Sequence, residues 1–156
     1  MAIICPTITA NEPHEYREQM ERISGLSENI HIDVMDGVFT KTKSPTIEQL
    51  WWPHEVTADI HVMYMRPMEW VSQLVKLQPK MVIIHFETDV DHMHFAAEMH
   101  KEGINAGLAI LQETSISDIR NVIDSFDQIL IFSGNLGFHG GTSDLNLLSK
   151  ATQIRK

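Results

Sequence analysis

Short runs rich in β-branched and aliphatic residues alternate along the chain with longer stretches in which apolar residues recur every three or four positions. Residues 2–6 (AIICP), 29–35 (NIHIDVM), 56–63 (VTADIHVM), 80–87 (KMVIIHFE), 105–111 (NAGLAIL) and 128–133 (QILIFS) read as strands. Residues 12–23, 44–52, 66–77, 89–103, 115–126 and 143–156 between and after them read as helices. In the first helix Tyr16, Met20 and Ile23 share a face, and Asn11 suits the N-cap. Ser44 and Pro45 mark the start of the second, and Gly103 the end of the fourth.

Six βα units thus follow one another with no linker, low-complexity segment or charge block. The pattern predicts a single domain over 1–156 with parallel strands and right-handed crossovers. Two architectures share this order, an open doubly wound sheet and a closed (β/α) barrel. The GxGxxG fingerprint of the dinucleotide-binding sheet is missing after the first strand. A complete barrel takes about 250 residues and eight units. The 156 residues here form an α/β chain about two units short of that, and on pattern alone both architectures stay open.

Side chains two apart on a strand share a face. His31, Asp33 and Met35 therefore point one way and Ile30, Ile32 and Val34 the other. On the next strand Asp59, His61 and Met63 share a face, opposed by Ile60 and Val62, and on the fourth His85 and Glu87 oppose Val82, Ile84 and Phe86. Three neighbouring strands send polar groups to one side, near their C-terminal ends, where parallel α/β folds bind ligands. Any one of these histidines, taken singly, reads as a hydrogen-bonded core residue. His31, Asp33 and His61 together read differently, because a buried carboxylate needs a compensating cation or proton. Two imidazoles and a carboxylate suit a divalent transition metal such as Zn, Fe, Mn or Co. Asp59 and Glu87 stand where they would orient the ligand histidines, although solvation at the strand ends accounts for them equally well.

Charge and composition then narrow the partners. A net charge of −9 without any Lys/Arg cluster argues against nucleic acid. No apolar run reaches the ~18 residues of a membrane span. The first ten residues lack a basic n-region, so no signal peptide is expected. Cys5 is the only cysteine, which fits a reducing cytoplasm. The loop SGNLGFHGG (133–141) carries Gly137, Gly140 and Gly141, which let backbone approach an anion at the same end of the sheet.

These stretches together resemble the ribulose-phosphate 3-epimerase family. HIDVMDG is similar to the family's second-strand His-x-Asp-Val-Met-Asp-Gly, and DIHVM to its third-strand Asp-x-His-Leu-Met. IIHFET resembles the fourth-strand His-x-Glu, CPTITAN the first-strand Pro-Ser-Ile-Leu-Ser-Ala-Asp with one residue missing, and SGNLGFHGG the sixth-strand Ser-Val-x-Pro-Gly-Phe-Gly-Gly with changes. The resemblance implies an α/β fold of the TIM type, the ribulose-phosphate-binding (β/α) barrel, incomplete at six of its eight units, and metal-assisted interconversion of D-ribulose 5-phosphate and D-xylulose 5-phosphate through an enediolate. It implies His31, Asp33 and His61 as metal ligands, Asp33 also as the catalytic acid/base, and Met35 and Met63 beside the reacting carbons. Thr7 takes the place of a substrate-contacting serine, and Gly137, Phe138, His139 and Gly140 that of the phosphate loop. His85 joins Asp59 and Glu87 behind the ligands.

Departures from the family pattern are equally specific. Leu136 replaces a proline, His139 a glycine, Gly141 a glutamine, Phe132 a third methionine, and Leu111-Gln112 an Asn-Pro pair. The family's second catalytic aspartate, also its fourth metal ligand, belongs to a seventh strand beyond the six units. Two outcomes follow as expectations: an epimerase, or a catalytically impaired relic or interaction module that retains a metal or sugar-phosphate site. Six units also leave two sheet edges unpaired, which predicts a homo-oligomer covering them.

Overall fold

A parallel sheet and its crossover helices organise the chain, whose computed structural model describes residues 5–23, 25–138, 142 and 144–154. The strands are β1 (Thr7–Ile8), β2 (Asn29–Met35), β3 (Thr57–Met63), β4 (Met81–His85), β5 (Asn105–Ile110) and β6 (Gln128–Ile131). They pair in chain order, all parallel, as one open six-stranded sheet. The helices are α1 (Pro13–Ile23), α2 (Val71–Leu77), α3 (His92–Lys101), α4 (Ile116–Ile119) and α5 (Leu148–Ile154). This is a partial (β/α) barrel of the TIM type. No helix among the described residues is long and apolar enough to cross a membrane.

The alternation along each strand separates two packed layers. Ile30, Ile32 and Val34 of β2, Ala58, Ile60 and Val62 of β3, and Val82 and Ile84 of β4 face outward. They pack with Tyr16 and Met20 of α1, Leu74 of α2, and Phe95 and Met99 of α3. Further round, Leu108 and Ile110 of β5 pack on Ile116 and Ile119 of α4. Each such aliphatic side chain contributes roughly 1.5–3 kcal/mol on leaving water. The inner face is apolar beside the polar cluster, with Met81, Ile83, Ala109 and Leu130 in contact. Gly107 makes room there, since a Cβ on it would lie 2.7 Å from Ile83 Cγ1.

The elements depart from the sequence pattern in four places. The segment 44–52 forms only a three-residue 3-10 turn, Ile47–Gln49, after which Leu50 is extended. Pro45 and Pro53 bound it too tightly for an α-helix, and residues before proline avoid the helical region. The helix expected over 115–126 stops after Ile119, as α4, and resumes as a 3-10 turn at Ile123–Ser125, because its β-branched residues hold a helix weakly. β1 pairs at Thr7–Ile8 rather than earlier, with Pro6 C=O accepting from His31 N–H; residues 2–4 of the expected strand lie outside the described residues. β4 ends at His85, so Glu87 belongs to the following turn.

Candidate metal centre and active site

Register builds the site. In the β2–β3 ladder Asp33 pairs with His61, His31 with Asp59, and Met35 with Met63. His31, Asp33 and His61 share the inner face near the C-terminal strand ends, and one ligand atom from each falls within a 4.8 Å span. Asp33 Oδ1 lies 3.0 Å from His61 Nδ1 and 3.3 Å from His31 Nε2. Its other oxygen accepts the Thr9 hydroxyl at 2.6 Å. Gln19 of α1 fixes Thr9 by bonding both its N–H (3.1 Å) and its C=O (3.0 Å).

Burial alone would raise the Asp33 pKa, but hydrogen bonds from His31 and His61 outweigh it and hold the carboxyl well below the usual range. Asp33 is therefore ionised at neutral pH. His61, 1% exposed, has its imidazole pushed down to about 4 by burial, against the opposing hydrogen bond to Asp33. It is neutral where Asp33 is charged.

Beyond His61 the contacts continue inward. His61 Nε2 lies 2.9 Å from His85 Nε2, and His85 Nδ1 lies 3.3 Å from Glu87 Oε2. Phe39 and Phe132 flank the buried His85 ring, with centroids at 5.0 and 5.8 Å. Glu87 is lowered to about 2: burial raises it, and bonds from His85, Thr114 and the Leu111 N–H more than compensate.

Counting hydrogens tests whether a metal fits. Asp33–His61, His61–His85 and His85–Glu87 are three links, each requiring one hydrogen, whereas two imidazoles with one hydrogen apiece supply only two. A cation held by His61 Nδ1 and Asp33 replaces the hydrogen of the first link. The remaining two then serve His61 Nε2–H to His85 and His85 Nδ1–H to Glu87. The donor set, two imidazole nitrogens and a carboxylate, is one that divalent transition metals accept. These residues fit a bound metal.

The other candidates take varied positions. Met35 and Met63 are both buried. Thr42 Oγ1 sits 3.0 Å from Met35 Sδ and donates to Gly137 C=O at 2.8 Å. This joins the loop after β6 to the loop after β2. Gly137 has φ 81°, and a side chain there would collide with Thr40 and Thr42. Phe138 is 61% exposed. His139 and Gly140, with Gly141, lie outside the described residues. Thr7 is exposed on β1, opposite His31. Asp59 lies one register step deeper; burial raises its pKa, opposed by Lys80 and His31, and its Oδ1 has no hydrogen-bond partner among the described residues. Asp36 closes the motif structurally, accepting from Val38, Phe39 and Met65 N–H groups to tie two loops together.

Sequence reasoning passed over Thr9, Thr114 and Lys150. Period-two spacing from Thr7 would have placed Thr9 on the same face, one step nearer the strand end. Thr114 and Lys150 act through contacts that no local pattern signals.

An open (β/α) sheet with imidazoles and a carboxylate at the C-terminal ends of adjacent strands has the layout of a barrel enzyme. Residues 3–156 match the model of the Ribulose-phosphate 3 epimerase family, and the chain belongs to that family. It is 26% identical over 157 residues to ribulose-phosphate 3-epimerase of Mycobacterium bovis, covering 99% of this chain and 68% of the relative. The Bacillus subtilis ribulose-phosphate 3-epimerase is 29% identical over 136 residues, covering 85% and 62% respectively. The chloroplastic ribulose-5-phosphate-3-epimerase of Arabidopsis thaliana is 29% identical over 160 residues, covering 99% of this chain and 57% of its own. These names denote isomerases acting on a carbohydrate, and this chain spans three fifths to two thirds of their lengths.

Proposed function

We propose that the chain carries the proton-transfer centre of a ribulose-phosphate 3-epimerase, acting between D-ribulose 5-phosphate and D-xylulose 5-phosphate. The observation that carries this reading is an ionised Asp33 held between His31 and His61, beside buried Met35 and Met63. His31, Asp33 and His61 would hold a divalent transition metal, which when bound would polarise the C2 carbonyl and acidify the C3 hydrogen. Asp33 accepts the C3 proton, the C–H electron pair moves into the enediolate, and Asp33 can return the proton to the face it came from. Inversion requires a proton delivered to the other face, the role that the family resemblance gives to its seventh strand. Met35 and Met63 line the reacting carbons, Thr7 the open side, and Gly137, Phe138, His139 and Gly140 the phosphate end. Asp59, His85 and Glu87 support the ligands from behind.

A second reading, an impaired relic or interaction module that retains the site, draws support from Phe132, whose ring packs on both His61 and His85. Deuterium incorporation at C3 of ribulose 5-phosphate in D2O separates the two. Exchange with xylulose 5-phosphate formed supports the epimerase, exchange alone a one-sided centre, and neither the relic. We also propose a cytoplasmic protein, on the strength of its single cysteine, and a homo-oligomer that covers the β1 and β6 edges. A monodisperse monomer in light scattering would contradict the latter.

A further inference from the structure

The contacts behind His61 do not stop at Glu87. Glu87 Oε1 accepts the Leu111 N–H at 2.9 Å and the Thr114 hydroxyl, both from the loop after β5. That loop is fastened from the last helix. Lys150 Nζ lies 3.0 Å from Leu111 O, 2.7 Å from Gln112 O and 2.7 Å from Thr114 O. An ammonium has three hydrogens, and here each has a carbonyl. The fastened loop in turn aims two donors at one carboxylate oxygen, leaving the other for His85.

We infer that Lys150, the loop 111–114, Glu87 and His85 form a positioning relay that presents Nδ1 of His61 to a divalent cation and sets how tightly the triad holds it. The inference rests on reading His31, Asp33 and His61 as a metal site. Each link determines the next. Glu87, held as an acceptor, keeps the hydrogen of His85 on Nδ1. His85 Nε2 is then an acceptor and keeps the hydrogen of His61 on Nε2. The lone pair of His61 Nδ1 is left facing Asp33, where the cation belongs. Partners of this kind behind a ligating histidine fix its tautomer and raise its basicity. The relay also makes the last helix a determinant of metal affinity, although Lys150, among the described residues, bonds only to the carbonyls of Leu111, Gln112 and Thr114.

Zinc affinity measured by chelator competition on the full chain tests this, with nitrogen NMR of the zinc-loaded protein reporting the His61 tautomer. His85→Phe and Glu87→Gln should each weaken zinc binding by about 10–100-fold. Thr114→Val and Lys150→Met should weaken it by less than about tenfold, with Thr114→Ser restoring the wild-type value. The wild type should carry its hydrogen on His61 Nε2. Leu74→Ala, which destabilises the outer core away from the site, should keep wild-type affinity. Unchanged affinity in the His85 and Glu87 variants, a hydrogen on His61 Nδ1, or an equal loss in Leu74→Ala would overturn the relay while leaving the triad intact. A wild type that takes up no zinc would overturn the triad itself, and the relay with it.

Discussion

The two halves of the sheet are built to different standards. β2 and β3 match residue for residue over seven positions and are sandwiched between neighbours, with aliphatic side chains buried outside and the His-Asp-His cluster inside. β6 has four residues, none of them fully buried, and the helices on either side of it are short or broken. The His-Asp-His cluster sits in the half where register is over-determined. A one-residue slip of β2 against β3 would turn Asp33 away from His61 and expose three aliphatic side chains. The weaker half holds the loop 111–114, fastened by Lys150, against Glu87, and so reaches the site through loop and side-chain contacts rather than through its strands.

Asp33→Asn tests the first half most severely, because it removes the proposed base and a proposed ligand together. C3 deuterium exchange should fall by about 10²–10⁴-fold; a rate near wild type would move the chemistry elsewhere. The packing contrast comes next. Ile32→Ala in β2 should cost about 2–5 kcal/mol in urea denaturation, whereas Ile131→Ala in half-exposed β6 should cost less than about 2 kcal/mol. Equal losses would erase the distinction between the halves.

Acid should also find the first half before the second. His61 titrates at 6.5 when unfolded and about 4 when folded, so its contribution to stability is complete above 6.5 and is lost as pH falls toward 4. Glu87 behaves likewise, complete above 4.5 and lost toward 2. Melting temperatures of metal-free protein should therefore fall from pH 7 to pH 4, and a flat profile would contradict a neutral buried His61. Thr9→Val, which removes the hydroxyl on Asp33, should cost about 1–3 kcal/mol in urea denaturation. Thr9→Ser should recover it.

The same contrast explains what could be read from the sequence. β2 was legible to the residue, since strict alternation of Ile30, Ile32 and Val34 with His31 and Asp33 is a period-two signal confined to one strand. The proximity of His31, Asp33 and His61 followed, because a parallel register brings matching strand ends together. The 44–52 segment was misread because Ile47, Leu50 and Trp51 have helical spacing, while Pro45 and Pro53 limit it to one turn. Lys150 was invisible for another reason: its partners lie 36 to 39 residues earlier, and only the packed fold joins them.

The metal site proposed at His31, Asp33 and His61 draws three side chains from two strands. Crystals soaked in a divalent transition metal and measured at its absorption edge should show one strong anomalous peak, within about 2.0–2.2 Å of ligand atoms from His31, Asp33 and His61. No peak there, or a peak only at other residues, would contradict it.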